Sequence, residues 1–331
     1  MPKKTIYIFS NGEIKRKQNT IYFEMADGKR KYVPVENTAE IMIFGEVTLN
    51  KKLLDFLSQK EIILHFFNHY GYYTGSFYPR EHYNSGYMIL KQAEHYIDEN
   101  KRLSLAKKFI EGASKNIVKV LEYYNRRDKN LLQYLAKIEE LTNSLPQMHT
   151  VNEMMAIEGN VHSVYYDAWN EIIQNNDFSM DKRERRPPKN MINALISFGN
   201  SLVYVEVLRQ IYKTHLDPRI GYLHSTNFRR FSLNLDVSEI FKPILADRII
   251  FSLLNKKMLG KKHFLKELNG TYLNDKGRMI FVKQFDERMR QTVKLPSIGN
   301  VSYERLVRIE LYKLEKHFMG EKEYEPFVAR W

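Results

Sequence analysis

The spacing of hydrophobic residues along the chain changes near residue 80. Before that point, short runs rich in β-branched and aromatic residues are separated by turn signals such as Asn11-Gly12 and Asp27-Gly28, which predicts β-strands. One short amphipathic helix interrupts the strands, and its apolar side carries Leu53, Leu54 and Leu57. The many aromatic residues are better explained by a sheet core than by base stacking. We therefore expect a small N-terminal β domain, similar to a β-sandwich, over residues 1–82.

From Tyr83 onward, apolar residues recur at the 3.6-residue spacing of helices. This spacing predicts a long helix through residues 105–124 and another over residues 129–141. Thr150 and Glu153 form a capping box at the start of the next helix, which turns Met154 and Val161 inward. Further helices follow, and the last spans residues 303–318. The expected fold class is α+β, with an all-helical larger domain over residues 83–331.

The composition of the 331-residue chain is that of a globular protein, with 43% hydrophobic and 27% charged residues. The absence of cysteine excludes a disulfide scaffold, a thiolate zinc site and a cysteine nucleophile, and it suits a reducing compartment. No signal-peptide run and no uninterrupted apolar stretch of about 18 residues occurs. We expect a cytoplasmic protein without membrane segments.

The charge balance favours a polyanionic partner. The chain has 52 Lys and Arg residues against 39 Asp and Glu residues, a formal net charge of +13. Basic residues displace condensed counterions from phosphates, so nucleic acid is the first candidate. Five arginines in two short segments are candidate phosphate contacts, where bidentate geometry suits the guanidinium group: Arg183, Arg185, Arg186, Arg229 and Arg230. Each segment is also explained by a solvated surface.

Several common catalytic motifs are absent from the sequence. It contains no GxxxxGK[ST] phosphate loop, no strand-coupled GxGxxG, no nucleophile elbow and no HExxH. ATP hydrolysis and serine-esterase chemistry are therefore poorly supported.

Acidic residues in apolar surroundings are the remaining candidates for chemistry. Glu158 lies between Met154 and Val161 on the inward face of its helix, where a carboxylate needs an ion-pair partner or a metal. Asp236 and Glu239 are three residues apart and share a helix face. Together with His224, Glu158 and Glu239 would form an oxygen and nitrogen donor set that suits Mg²⁺ or Mn²⁺. A salt bridge between helices is the alternative explanation for Glu158.

Four segments resemble motifs of one family, in the same order. They are residues 156–161 (AIEGNV), residues 183–188 (RERRPP) with a following NAL, residues 216–224 (LDPRIGYLH) and residues 235–243 (LDVSEIFKP). These segments are similar to those of the CRISPR-associated integrase-endonucleases, the first Cas family. The resemblance spans essentially the whole chain.

The resemblance implies a metal-dependent DNA endonuclease and integrase that joins captured DNA fragments, called spacers, to a repeat array by transesterification. It implies a homodimer, with the N-terminal domain expected to mediate dimerisation, and Mg²⁺ or Mn²⁺ held by the residues that match Glu158, His224 and Glu239. Asp236 is the alternative ligand or a residue that supports one, and His162 is expected to pack or to support the site. The implied partners are duplex and branched DNA, spacer fragments and a small protein of the second Cas family.

Two other functions stay open at this point. One is a nucleic-acid-binding protein without enzymatic activity, whose acids form only structural salt bridges. The other is a metal-dependent nuclease that acts on RNA. Metal-dependent activity separates the first from an integrase, and a comparison of DNA with RNA substrates separates the second.

Overall fold

Strands dominate the first unit of the chain, residues 1–82, and helices dominate the second, residues 83–331, in the computed structural model. The structure describes residues 3–79, 83, 85–173, 175–184, 187–226, 231–296 and 298–330. The predicted α+β class is confirmed.

The first unit contains two four-stranded sheets. One has the order β1-β5-β7-β8, in which the first three strands are parallel, and the other has the order β4-β3-β2-β6. The elements are β1 (Lys4–Ile8), β2 (Gly12–Lys17), β3 (Thr20–Met25), β4 (Arg30–Val33), β5 (Thr38–Ile43), β6 (Val47–Thr48), α1 (Lys51–Gln59), β7 (Ile63–Phe67) and β8 (Tyr73–Phe77).

One apolar cluster joins both sheets of this unit to the helix α1. Ile14 and Ile21 come from one sheet, Ile41 and Leu64 from the other, and all four are completely buried. From α1, Leu53 and Leu57 enter the same cluster. Because alternate residues of a strand point to opposite faces, each sheet contributes one apolar face to this core.

The second unit is mostly helical, and it also contains two β-hairpins. Its elements are α2 (Gly86–Ile97), α3 (Glu99–Asn125), α4 (Leu132–Asn143), α5 (Val151–Asp167), α6 (Trp169–Ile173), α7 (Met191–Ile211), α8 (Ser232–Lys242), α9 (Arg248–Asn255), β9 (Phe264–Glu267), β10 (Gly270–Leu273), α10 (Asp275–Arg290), β11 (Thr292–Leu295), β12 (Gly299–Ser302) and α11 (Tyr303–Phe318).

The two hairpins, β9–β10 and β11–β12, correct the expectation that this unit is all-helical. In the first hairpin, Glu267 pairs with Gly270 across a two-residue turn. In the second, Gly299 has a φ of +85°, a left-handed conformation that glycine adopts without steric cost. A tight turn of this kind brings the chain back antiparallel to itself, so the residues on either side pair as strands. A helix would need a longer segment without a turn.

The helix α5 begins at the predicted capping box. The Thr150 hydroxyl accepts a hydrogen bond from the backbone N–H of Glu153 at 3.2 Å, and the Glu153 carboxylate accepts one from the backbone N–H of Thr150 at 3.0 Å. These two bonds satisfy donors that the first helical turn leaves free, so the start of α5 is fixed.

The helix α7 forms the centre of the second unit. By length and composition alone it is apolar enough to cross a membrane, but 78% of its most apolar 18-residue window is buried inside the protein. Such burial is typical of a core helix.

A π-helical turn, Pro243–Asp247, joins α8 to α9. Pro243 has no backbone N–H and therefore cannot donate to the carbonyl group of Glu239, one α-turn earlier. The carbonyl group of the next residue, Ile240, accepts a hydrogen bond from the buried Asn116 side chain of α3 at 3.0 Å. The widened turn is thus supported by a side chain from a neighbouring helix.

Candidate metal centre

Two carboxylates and an imidazole meet in the second unit. Glu158 and His162 are four residues apart on α5 and so share one face of the helix, while Glu239 comes from α8. The His162 Nε2 atom lies 3.1 Å from Glu158 Oε1 and 3.4 Å from Glu239 Oε2. Candidate ligand atoms of these three residues all lie within 4.8 Å of one another, an arrangement that no other group of three reaches within the described part of the chain.

Positive charge holds the two carboxylates together. Burial alone would raise the pKa of Glu239, but Lys242, which contacts its carboxylate one turn later on α8, and His162 hold that pKa well below its usual range. Burial lowers the pKa of His162, and the hydrogen bonds to Glu158 and Glu239 outweigh this effect and raise it to about 10. The Glu239 carboxylate is therefore ionised, and the imidazolium of His162 lies between it and Glu158.

The group is within reach of solvent and has unused bonding capacity. The side chains of Glu158 and His162 are each 14% exposed, and that of Glu239 is 8% exposed. The Nδ1 atom of His162 is buried and has no hydrogen-bond partner among the described residues. The two carboxylates, without thiolates, are oxygen donors that fit Mg²⁺ or Mn²⁺, and His162 could join them as a ligand only after losing its proton.

His224 lies in the segment before α8, and Asp236 fixes its position. The Asp236 carboxylate accepts hydrogen bonds from the backbone N–H groups of Tyr222, Leu223 and His224 at 2.6, 3.1 and 2.9 Å, and it lies 2.8 Å from His224 Nδ1. These contacts orient the imidazole ring, so that Nε2 is the nitrogen left for other partners.

The approach of this segment to α8 requires a glycine. A Cβ atom at Gly221 would lie 2.5 Å from the carbonyl carbon of Ser232, which is too close for any other residue. The backbone N–H of Gly221 also donates to the Ser232 hydroxyl at 3.0 Å.

Burial lowers the pKa of His224, while Asp236 and, more weakly, Glu239 raise it above its usual value. His224 is thus within electrostatic reach of Glu239.

The structure brings together only some of the residues that the sequence singles out. Glu158 and Glu239 meet, whereas His224 is outside the group of three and contacts Asp236. His162, which we expected to pack or to support the site, lies between the two carboxylates. Its spacing of four residues from Glu158 was a signal for that contact within α5, but not for the contact with Glu239 on α8. The assignment of Glu158, His224 and Glu239 as metal ligands stays a prediction.

Of the five candidate phosphate-binding arginines, the structure describes Arg183. This residue is partly buried, and its guanidinium group donates to the Asn193 side chain at 2.9 Å and to the Ser197 hydroxyl at 3.2 Å, both on α7. Four others lie outside the described residues: Arg185, Arg186, Arg229 and Arg230. Contacts of these arginines with DNA stay a prediction.

A third carboxyl group is buried near the carboxylate pair. Asp247 is only 4% exposed at the end of the π-helical turn. Burial raises its pKa to about 7, although Tyr165, His162 and Lys242 act in the opposite direction. This carboxyl group therefore changes its charge near neutral pH.

The second unit therefore contains a candidate divalent-metal centre, in a chain whose surplus of 13 positive charges favours a polyanionic partner. Comparison with known proteins gives the family. The model for "CRISPR associated protein Cas1" matches residues 6–287. The chain belongs to this family, which confirms the resemblance seen in the sequence.

A curated relative and a solved structure support this membership over the full length. CRISPR-associated endonuclease Cas1 2 of Thermodesulfovibrio yellowstonii is 60% identical over 330 residues, which are 99% of this chain and 100% of the relative. A solved CAS1 protein from Thermotoga maritima is 49% identical, with a TM-score of 0.86 and coverage of 98% of this chain and 99% of that chain.

Two more distant solved structures share the fold. A casposase bound to integration product has a TM-score of 0.87 at 19% identity, over 99% of this chain and 94% of that one. A chain of a Cas6-RT-Cas1–Cas2 complex has a TM-score of 0.85 at 16% identity, over 99% of this chain and 36% of that chain. At these identities the similarity concerns the fold alone.

Proposed function

We propose that the chain is a metal-dependent DNA endonuclease and integrase that joins captured DNA fragments to a repeat array by transesterification. The observation that carries this proposal is the meeting of Glu158, His162 and Glu239, with ligand atoms within 4.8 Å, at a place that solvent reaches. The names of the curated relatives, CRISPR-associated endonucleases, agree with it.

Glu158, Glu239 and His224 would hold Mg²⁺ or Mn²⁺ in this proposal. The cation, when bound, supplies Lewis-acid stabilisation of charge on phosphate oxygens. Glu158 and Glu239 already lie close together, so they need little rearrangement to share a ligand. Asp236 keeps the Nδ1 atom of His224 engaged at 2.8 Å, which leaves Nε2 free to act as the neutral donor.

Lys242 and His162 have a second task in the proposed reaction. They now contact the carboxylates, and in the proposed complex their positive charge would face a DNA phosphate. In strand transfer, a bond forms between phosphorus and the 3′ oxygen of the incoming fragment as the bond to the leaving 3′ oxygen breaks. The incoming hydroxyl loses a proton and the leaving oxygen gains one, so the number of phosphodiester bonds is conserved. Positive side chains favour the negative charge that develops on the leaving oxygen.

The assembly in which this reaction occurs is also part of the proposal. We expect two copies to pair through the N-terminal unit, in the cytoplasm, and to bind duplex or branched DNA together with a small protein of the second Cas family. The Cas6-RT-Cas1–Cas2 complex, one chain of which has this fold, supports the last expectation.

The experiment measures cleavage and strand joining on branched DNA in Mn²⁺ and in Mg²⁺. Glu158→Gln, Glu239→Gln and His224→Asn should each reduce the rate by about 1,000-fold or more, because several kcal/mol of charge stabilisation is lost. DNA binding should be retained. Glu40→Gln, at a buried glutamate of the first unit that also contacts a histidine, is the matched control and should keep the activity of the folded protein.

Three outcomes would contradict the proposal, and a fourth would only change the ligand assignment. Full activity in all three variants would reject the site, and a larger loss in Asp236→Asn than in Glu239→Gln would assign the ligand to Asp236. Faster cleavage of RNA than of duplex or branched DNA would indicate an RNA nuclease. Binding of DNA without any metal-dependent cleavage would indicate a protein that only binds nucleic acid.

A further inference from the structure

The hairpin β9–β10 and its flanking residues form a strongly basic part of the second unit. Residues 256–276 contain six lysines and two acidic residues. All six lysines are exposed, and they define what we call the hairpin surface: Lys256, Lys257, Lys261, Lys262, Lys266 and Lys276. Among the described residues, Lys261 has an ion pair, with Asp177 at 2.8 Å, and the other five have none. The surface is therefore positively charged and largely unneutralised.

The tip of the hairpin is apolar. Leu268, in the two-residue turn between β9 and β10, is completely exposed, with a relative exposed area of 106%. Leu265 on β9 is 49% exposed. Single exposed leucines are common on protein surfaces, but here the leucine is in the exposed turn of a hairpin, two residues after Lys266, while Thr271, Tyr272 and Leu273 anchor β10 in the protein. This combination suits a partner that is polyanionic and has apolar features within a groove.

The hairpin is rigidly anchored beside a second basic segment. The backbone N–H of Thr271 donates to the carbonyl group of Pro188 at 2.8 Å, and its hydroxyl donates to that of Lys189 at 3.2 Å. A Cβ atom at Gly270 would lie 2.8 Å from the Pro188 oxygen, so the two segments touch closely. Lys189, with 69% of its side chain exposed and an ion pair to Glu184 at 3.4 Å, lies beside the hairpin surface.

We propose that the hairpin surface binds the phosphate backbone of duplex DNA, with the tip of the hairpin in the major groove and Leu268 against the base edges. A two-stranded ribbon fits the major groove of B-form DNA, where the thymine methyl group offers an apolar contact. The lysines on either side reach the phosphates as point charges that are indifferent to sequence. This inference rests on the proposed action on DNA, and it concerns residues outside the candidate metal centre.

The test measures equilibrium binding of the full chain to a fluorescent DNA duplex by anisotropy, in EDTA and over a series of salt concentrations. Lys262→Ala/Lys266→Ala should weaken binding about tenfold and lower the slope of log K against log salt by about 1.8, since each phosphate contact contributes roughly 0.9. Lys52→Ala/Lys322→Ala removes the same charge at exposed lysines outside the hairpin surface and should change the slope little.

A second variant tests the tip itself. Leu268→Ser should weaken duplex binding about threefold without changing the salt slope, because it removes an apolar contact and no charge. Its thermal stability should equal that of the wild type, since Leu268 packs against no core. Double-stranded RNA should bind the wild type more weakly, because its major groove is too narrow for the ribbon.

Each contrary result bears on the hairpin surface alone. Equal losses in the two double-lysine variants would overturn the proposal, and unchanged binding by Leu268→Ser would remove the tip from the groove. Equally tight binding of double-stranded RNA would also contradict the major-groove geometry. Because EDTA removes divalent cations, none of these outcomes depends on the candidate metal centre, and loss of cleavage in Glu158→Gln leaves this test unaffected.

Discussion

Each unit of the chain contains a buried contact between a glutamate and a histidine, and the two contacts differ in what surrounds them. In the first unit, Glu40 accepts a hydrogen bond from the Thr5 hydroxyl at 2.6 Å and lies 3.3 Å from His65 Nε2. The other ring nitrogen of His65 lies 2.6 Å from the Ser76 hydroxyl. Glu40 and His65 are 1% and 0% exposed. Both ring nitrogens therefore have partners, and solvent does not reach the pair.

In the second unit, His162 contacts two carboxylates instead of one, and its other ring nitrogen is without a partner among the described residues. Glu158 and His162 are partly exposed. The comparison teaches that the residue types alone do not indicate a metal site. A second carboxylate, an unused nitrogen and access to solvent distinguish a candidate centre from a hydrogen-bond network that stabilises a sheet.

The largest effect that would sharpen this contrast concerns Asp247, whose folded pKa is about 7 against an ordinary value of 3.8. Between these values the folded state binds a proton that the unfolded state does not, so the free energy of unfolding falls as the pH rises from about 4 to 7. Three pH units correspond to as much as about 4 kcal/mol. Asp247→Asn should remove this contribution, whereas that of His162 acts above its ordinary pKa of 6.5, so urea unfolding in EDTA at pH 4.5 and pH 6.5 would isolate the effect of Asp247.

Asp128→Asn is the matched control for the Asp247 variant, because Asp128 is an exposed carboxyl of the same unit. This control should keep the wild-type dependence of stability on pH. If the free energy of unfolding changes with pH in the same way in the wild type and in Asp247→Asn, the Asp247 carboxyl group does not titrate in this pH range, and the prediction is wrong.

A smaller effect tests whether Asp236 acts by holding His224. Asp236→Asn places an amide where four N–H groups now donate, so the orientation of the imidazole should be lost. Residues that support a metal ligand in this way typically change affinity or activity by 10- to 100-fold. We expect Mn²⁺ affinity, measured by calorimetry, to fall within this range while thermal stability in EDTA also decreases.

An unchanged Mn²⁺ affinity in Asp236→Asn, together with reduced stability, would mean that Asp236 only joins the segment before α8 to that helix. A complete loss of Mn²⁺ binding would instead make Asp236 itself a ligand. Either result would change the contrast between the two units. In the second unit Asp236 is expected to position a candidate metal ligand, His224, whereas the contact of Glu40 with His65 in the first unit positions none.

The smallest effect concerns Glu40 and His65, the buried pair of the first unit. Ser76→Ala removes the partner of His65 Nδ1 and should lower the free energy of unfolding by about 1 kcal/mol. Metal-dependent cleavage should stay at the wild-type rate, and Ser10→Ala, at an exposed serine of the same unit, should change neither quantity. If Ser76→Ala loses more cleavage activity than its loss of folded protein explains, the pair of Glu40 and His65 also takes part in function.

Local signals in the sequence predicted those parts of the fold that depend on neighbouring residues. The capping box of Thr150 and Glu153 fixes a helix start through contacts within one turn, so it could be predicted without tertiary information. The hairpin β9–β10 was not predicted from the sequence, although Asn269-Gly270 is a turn signal, because its two strands, FLKE and GTYL, have only four residues each. Runs this short are too brief to show a regular alternation of apolar and polar residues.

The candidate site shows the same division between local and distant information. The position of Glu158 on an apolar helix face marked it as unusual, and the resemblance to a family selected Glu239 and His224. The place of His162 between two carboxylates depends on how α5 packs against α8, and spacing along one helix contains no information about that packing. The sequence therefore singled out Glu158, which is unusual at its own position. It predicted His162 only as a residue that packs or supports the site, because the contact with Glu239 depends on tertiary structure.

The π-helical turn Pro243–Asp247 has a consequence for how this region could change over generations. Such a turn holds one residue more than an α-turn, and each residue of an α-helix rotates the next by about 100°. Because the widened turn takes up its extra residue locally, deleting a single codon here would let the rod wind regularly and leave the residues of α9 facing their present neighbours. Gene variants should therefore tolerate the loss of one residue in this stretch better than in the regular turns of α8 or α9.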